Sequence, residues 1–223
     1  MTSVNPTISR IESSDLPFLA EFIHSAKLSL SINRLLYQPW PNETVQRKQY
    51  TGAVEGAFAD ASMECFKATT EGDLNAIIGY MVLAKKTATK QDPLAPVPAK
   101  SVPPDNLPSA PEGMNPGVLA EVSAANVEVG RATENIDRYE LIYMCVEPSY
   151  QRQGVGSRLL QLGFDRARAE SLPLAVTAEA PAYGFFETLG FRETKHVDID
   201  LRKYASANSG FGIFRLTGMM WRP

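Results

Sequence analysis

The stretch Cys145–Gly163, CVEPSYQRQGVGSRLLQLG, decides how the chain is read. Its first residues close an apolar run, Leu141–Val146 (LIYMCV), that reads as a strand covered on both faces. Glu147–Gln153 make a polar turn. Gly154 and Gly156 then open an amphipathic helix that runs to Glu170. Val155, Leu159 and Leu162 form one apolar row with Leu160, Phe164 and Ala167 beside it, and Arg158, Gln161, Asp165 and Arg168 lie opposite. Leu172–Glu179 (LPLAVTAE) is the next strand, and Pro181 opens a further helix that stops near Gly190. That is the usual asymmetry of proline in front and glycine behind.

A helix N-terminus leaves backbone N–H groups unpaired and carries partial positive charge. Glycines there let an anion approach the backbone, because no Cβ stands in the way. Gln151, Arg152 and Gln153 place further donors just before the turn. The arrangement suits a phosphate or pyrophosphate, although plain turn chemistry writes the same residues. A dinucleotide fingerprint requires a third glycine directly after G-x-G-x-x, where this chain has Leu159, and a strand that meets the first glycine without an intervening turn. Glu179 does mimic the ribose-binding acid of such units, but too few βα units follow. No G-x-x-x-x-G-K-[ST] loop occurs.

Upstream, Thr7–Glu12 reads as a strand and Ser13–Ser31 as a capped helix. Pro39 and Pro41 break the chain, and Glu43–Ala61 reads as a second helix. MECFKATT and NAIIGYMVLAKK form a hairpin around Glu71–Leu74. Eight of the 16 prolines then fall between Pro93 and Pro116, within an irregular segment spanning 87–137. Val118, Val122, Ala125 and Val129 mark a short helix at its end. Phe191–Lys203 and Phe211–Trp221 are the last strands, around a loop at Tyr204–Gly210.

The 223 residues carry 44% hydrophobic and 21% charged side chains and a formal net charge of −3, so a sizeable core is available and no broad nucleic-acid surface is expected. Cys65 and Cys145 are read as buried free thiols. No apolar run approaches the roughly 20 residues of a membrane helix, and the first residues, MTSVNPTISR, lack a signal-peptide core. The expectation is a cytoplasmic protein, with the nucleus as the alternative compartment. His24 and His196 have no metal-ligand spacing with the cysteines, and no metal is expected.

QRQGVG resembles the Q/R-x-x-G-x-G/A motif of the GCN5-related N-acetyltransferases. The apolar strand before it, the helix after it and LPLAVTAEAPAYGFFETLGF are similar to that family's strand, short helix and closing LGF. The match covers Glu140–Arg192, and the proline-rich segment resembles an insertion of fungal members. The resemblance implies one α/β domain over residues 1–223, with 87–137 inserted in it. Its mixed central sheet would have six to seven strands flanked by helices, with splayed central strands. It implies acetyl-CoA as co-substrate, with the pyrophosphate on backbone N–H groups of Gln151, Arg152, Gln153, Gly154, Val155, Gly156 and Ser157. The pantetheine arm and acetyl carbonyl would meet backbone around Met144, Cys145 and Val146, with Phe186 beside them. The acceptor would be a primary amine on a small molecule or peptide; a non-catalytic acyl-CoA-binding module is the alternative.

An ammonium must lose a proton before it can attack a thioester. The family position for the base falls on Glu140. Strand alternation puts Glu140 on one face with Ile142, Met144 and Val146, apolar neighbours that suit a proton-accepting acid. An exposed residue at a strand start is the equal alternative. The family's tyrosine acid falls on Phe186, and Tyr183, three residues earlier, is the replacement candidate. Trp40 either lines the acceptor site or folds onto the core.

Overall fold

The computed structural model describes residues 5–70, 73–89 and 110–223. Its strands are β1 (Thr7–Arg10), β2 (Met63–Thr70), β3 (Asp73–Lys86), β4 (Arg138–Val146), β5 (Leu174–Glu179), β6 (Arg192–Asp200) and β7 (Ile213–Trp221). They form one seven-stranded sheet in the order β1-β2-β3-β4-β5-β7-β6. Every neighbouring pair is antiparallel except the central pair, β4 and β5. A parallel pair needs a crossover, and the helix opened by Gly154 supplies it.

The helices are α1 (Leu16–Lys27), α2 (Asn33–Leu36), α3 (Glu43–Ala59), α4 (Pro116–Gly130), α5 (Val155–Glu170) and α6 (Ala180–Thr188). α5 buries Val155, Leu159, Leu160, Phe164 and Ala167 against one sheet face, as its apolar rows require. Fully burying each such large apolar side chain contributes about 1.5–3 kcal/mol. α5 also packs tightly on β3: a Cβ on Gly79 would stand 2.9 Å from Leu159 Cδ1 and 3.1 Å from Val155 Cγ1, so a side chain there would push those two residues aside. α6 covers the same face through Phe186.

The opposite face has two separate covers. α1 and α3 lie over the β2–β4 side through Leu19, Ile23 and Val54. A buried His24–Gln46 hydrogen bond of 2.8 Å ties these two helices together. α2 and α4 lie over β6 and β7 through Leu35, Val118, Ala125 and Val129. α4 therefore seals the core, although its sequence belongs to the segment read as an insertion. Its N-cap is Asn115, whose side chain accepts from Gly117 and Val118 N–H. The hairpin turn residues 71–72 and residues 90–109, most of the proline-rich stretch, lie outside the described residues.

Cys65 and Cys145 are free thiols. Among the described residues no helix is long and apolar enough to cross a membrane, and no group of three or more His, Cys, Asp or Glu side chains could hold a metal.

Candidate active site

β4 and β5 start together and then part. Tyr139, Glu140 and Leu141 pair with Leu174, Ala175 and Val176, and no further pairs follow. From Tyr143 to Val146, β4 pairs only with β3. Its edge towards β5 has no strand partner there. Buried backbone groups must find partners, so the opening calls for a ligand or water.

A bulge accompanies the parting. Val82 pairs with Tyr143 but Leu83 pairs with Leu141, which leaves Ile142 without a partner on β3. One extra residue inverts the alternation beyond it. Leu141, Met144 and Val146 consequently pack under α5, whereas Tyr143 and Cys145 pack towards α1 and α3. This corrects the face assigned to Glu140. The carboxylate points to the side of Tyr143 and Cys145, away from Met144 and Val146. It also corrects the reading of Leu141–Val146 as covered on both faces, because Ile142 is 40% exposed.

The surroundings of Glu140 are not purely apolar either. Arg138, a buried residue two positions earlier, donates to it at 2.8 Å. The guanidinium also donates to the carbonyls of Thr133 (2.9 Å) and Ile136 (3.2 Å). That fixed fork holds the acid in place. Spacing on one strand could have suggested an Arg138–Glu140 contact; the loop carbonyls that anchor the arginine had no sequence signal.

Where the strands part, a cavity of about 450 Å³ passes between the sheet faces. Glu140, Tyr143 and Met144 form its β4 wall, and Thr177 and Glu179 its β5 wall. Ala182 and Phe186 of α6 close one side. Lys27, Asn33 and residues of α2 and α4 line the other. The Phe186 ring is mostly core, 5.3 Å from the Phe191 ring in an edge contact, and shows only part of itself to the opening. Tyr183 lies elsewhere. Its hydroxyl is 3.4 Å from Glu187, and it is not part of the cavity wall. At about 100° per residue, Tyr183 and Ala182 flank Phe186 on opposite sides of one helix face; the cavity lies on the Ala182 side, so Tyr183 is turned aside. Trp40 is not in this wall.

The turn after β4 leads into α5. Gly154 is the N-cap, in a left-handed conformation (φ 91°), with no side-chain cap. The first intrahelical bond runs from Arg158 N–H to Gly154 O at 2.9 Å. The N–H groups of Val155, Gly156 and Ser157 precede it at the open helix end. The side chains of Gln151 and Gln153 do not reach outwards as expected. Their amides donate to Val146 O (3.2 Å) and Ser149 O (2.7 Å) and shape the loop. Arg152 has positive φ (58°) and an exposed side chain. The anion-binding capacity of the turn thus resides mainly in its backbone. Burial pushes the Cys145 thiol well above its ordinary pKa, so it is no nucleophile at neutral pH.

One pair was illegible in the sequence. Lys27, in the last turn of α1, donates to Glu179 Oε1 at 2.7 Å across 152 positions. Its Nζ also lies 5.4 Å from the centre of the Tyr143 ring.

Residues 117–193 match the family model described as an acetyltransferase (GNAT) domain. No curated protein matches the chain. Among solved structures, a candidate arylalkylamine N-acetyltransferase 7 of the yellow fever mosquito superposes with TM-score 0.65 at 14% identity, over 96% of this chain and 86% of that one. A structure described as histone acetyltransferase HPA2 and related acetyltransferase, from Corynebacterium glutamicum, gives 0.58 at 16% identity, over 98% and 96%. Arabidopsis thaliana NAA60 with a bisubstrate analogue gives 0.53 at 12%, over 98% of each chain. The fold is therefore GNAT-like: one α/β domain with an open, mixed seven-stranded sheet flanked by helices. These three come from an insect, a bacterium and a plant, and lend no support to the fungal resemblance of the proline-rich segment.

Proposed function

We propose that the protein transfers the acetyl group of acetyl-CoA to a primary amine by direct attack on the thioester. The observation that carries this reading is a central parallel pair that parts after three residues, next to a glycine-started helix with an uncapped N-terminus. An acyl thioester on a long pantetheine arm needs both features: an anion seat for the pyrophosphate and a slot for the arm. The residues present fit such a group. Backbone from Gln151 to Ser157 would hold the pyrophosphate, and the edge of Met144, Cys145 and Val146 that has no strand partner would hold the arm beside Phe186. Acetyl-CoA supplies the activated acetyl group. The names of the three structural neighbours, all acetyltransferases, are consistent with it.

The chain itself must orient the amine and remove its proton. Glu140, held by Arg138 in the cavity wall, is the proposed base, reached directly or through water. The departing side needs less help. A thiol like that of CoA resembles cysteine, with a pKa of roughly 8.5, whereas an alkyl ammonium starts from roughly 10.4. Phe186 in place of a hydroxyl is therefore compatible with turnover, and Tyr183, turned away from the cavity, is not needed as an acid. The missing hydroxyl also favours a second reading, a non-catalytic acyl-CoA-binding module. The acceptor is proposed to be a small-molecule or peptide amine, and the site of action the cytoplasm or nucleus.

Two measurements test the proposal. Acetyl-CoA at 100 times its dissociation constant should stabilise the fold by about 2.7 kcal/mol; no thermal shift at saturation overturns the ligand. Thiol release in the presence of a panel of amines should then exceed background. Binding without release leaves the non-catalytic module. Gly156→Glu, which puts a like charge at the helix start, should abolish the shift, and unchanged binding would move the pyrophosphate elsewhere.

A further inference from the structure

The opening between β4 and β5 contains an ammonium group of the chain's own. Lys27 Nζ sits on Glu179 (2.7 Å) and over the Tyr143 ring (5.4 Å), and all three residues line the cavity. A carboxylate together with an aromatic face is a cation-binding arrangement. Its occupant is loosely held. The Lys27 and Glu179 side chains are 21% and 31% exposed, so the ion pair is worth little. Lys27 stands on a flexible four-carbon stem at the end of α1 and can return its charge to water. Glu140 offers a contrast, because its partner Arg138 is buried and pinned by two loop carbonyls.

A second observation marks the same place as unfinished. The Tyr143 hydroxyl is buried and has no hydrogen-bond partner among the described residues. An unsatisfied buried polar group costs about 1–3 kcal/mol, and such a group in a cavity wall points to a ligand. Burial, together with the neighbouring Cys145, Tyr50 and Glu179, pushes the phenol pKa up, so it stays a neutral hydroxyl able to accept or donate. An ammonium carries three donors. Lys27 spends one on Glu179 and leaves the hydroxyl unmet.

We propose that Glu179 and Tyr143 form the docking subsite for the acceptor's ammonium, and that Lys27 is a resident plug which the acceptor displaces. The exchange swaps one monocation for another, so Glu179 keeps a cationic partner; a neutral ligand that displaced Lys27 would leave it none. Beyond this polar end, Ile32, Leu36, Val122, Phe214 and Leu216 make the cavity apolar. The ligand class is therefore a primary alkylammonium with an apolar body and no anionic group near the nitrogen. This deepens the transfer reading above and rests on it for the fate of the bound amine.

The test is a titration of the full chain with 2-phenylethylamine, and with 2-phenylethanol as its neutral counterpart, in the presence of CoA so that nothing turns over. Calorimetry or thermal shift gives the dissociation constants. The amine should bind at least about tenfold tighter than the alcohol. Lys27→Met should tighten the amine by about tenfold, because the competing cation is gone. Glu179→Gln, close to isosteric, should erase the preference for the amine over the alcohol. Tyr143→Phe keeps the ring and removes the unmet hydroxyl; it should leave stability unchanged or raised while weakening the amine severalfold, a split that a purely structural tyrosine would not give. Amine affinity unchanged in Glu179→Gln, or not tightened in Lys27→Met, overturns the plug. So does a wild-type protein that fails to prefer the amine. Thiol release is independent: turnover with an unaltered Glu179→Gln affinity sinks the subsite alone, and amine binding without thiol release sinks only the transfer.

Discussion

The two halves of β4 are one continuous strand with opposite fates. Tyr139–Leu141 is paired on both edges, by β3 and by β5. Tyr143–Val146 is paired with a strand on one edge only, and Tyr143 and Met144 line the cavity. Composition would suggest the reverse: the closed half carries the charged Arg138 and Glu140, and the open half, Tyr143, Met144, Cys145 and Val146, carries no charge. The difference comes from the bulge at Ile142 and the divergence of β5. A strand satisfied on both edges contributes stability, whereas one left open on an edge can bind. The two acids follow the same division. Glu140, in the closed half, is fixed by a buried arginine; Glu179, at the open end of β5, is held by a lysine that can leave.

The sharpest way to break this comparison is to truncate one residue in each half. Leu141→Ala removes a buried side chain between two strands and α5. It should cost about 2–5 kcal/mol in urea unfolding. Met144→Ala, in the half-buried cavity wall, should cost well under half of that and show its effect in acetyl-CoA affinity instead. Equal losses of stability would mean that the open half is ordinary core.

Glu140→Gln comes next. If the fixed acid is the base, kcat/KM should fall on the order of 10²-fold at neutral pH and recover partly as pH rises, because more of the amine is then neutral in solution. A flat response across pH would transfer the proton step to water or to Glu179.

The loop beyond the open half gives a smaller contrast. Gly154 has φ 91° and open space around its missing Cβ, so Gly154→Ala should cost about 1–2 kcal/mol through backbone strain alone. Gly156 lies inside α5 with ordinary contacts, 3.4 Å to the Phe185 ring, and Gly156→Ala should be neutral or stabilising in the free protein. Thermal denaturation of the pair decides whether positive φ, rather than crowding, is what demands glycine there.

The smallest effect belongs to the closed half. The Tyr139 hydroxyl bonds Glu170 at 2.6 Å and ties β4 to the end of α5. Burial and the adjacent Glu170 raise its pKa from 10.0 to about 12. The stabilisation is therefore complete below pH 10 and is lost as pH rises towards 12. Tyr139→Phe should cost about 1 kcal/mol at pH 7, and the difference from wild type should shrink over that alkaline window. A constant difference would leave the hydroxyl without a role.

Much of the fold was legible because its signals are local. The apolar rows of α5, the two glycines at its start and the strand on each side are readable from spacing alone, and α5 falls within one residue of its expected start. α3 begins at the expected Glu43, and α4 extends the expected Val118–Val129 helix by a few residues. Of the candidate site, the part that the sequence spells out is the glycine turn, which backbone rather than side chains makes. The glycine turn is a backbone feature, so its letters announce it. The face of Glu140 was misassigned because alternation assumes an unbroken strand, and Ile142 looks like any other strand residue. Tyr183 shares a helix face with Phe186 at i−3, but spacing does not say on which side of Phe186 the cavity opens, and it opens on the Ala182 side.

Sequence by itself determined the local order of strand, turn, helix and strand, since propensity, capping and periodicity act over a few residues. Tertiary structure alone decided where β4 and β5 part, which way Glu140 points, and that Lys27 meets Glu179 and Tyr143. The reason is physical: each of those features depends on groups far apart in the chain, brought together only when the sheet closes and three separate helical covers settle around one opening.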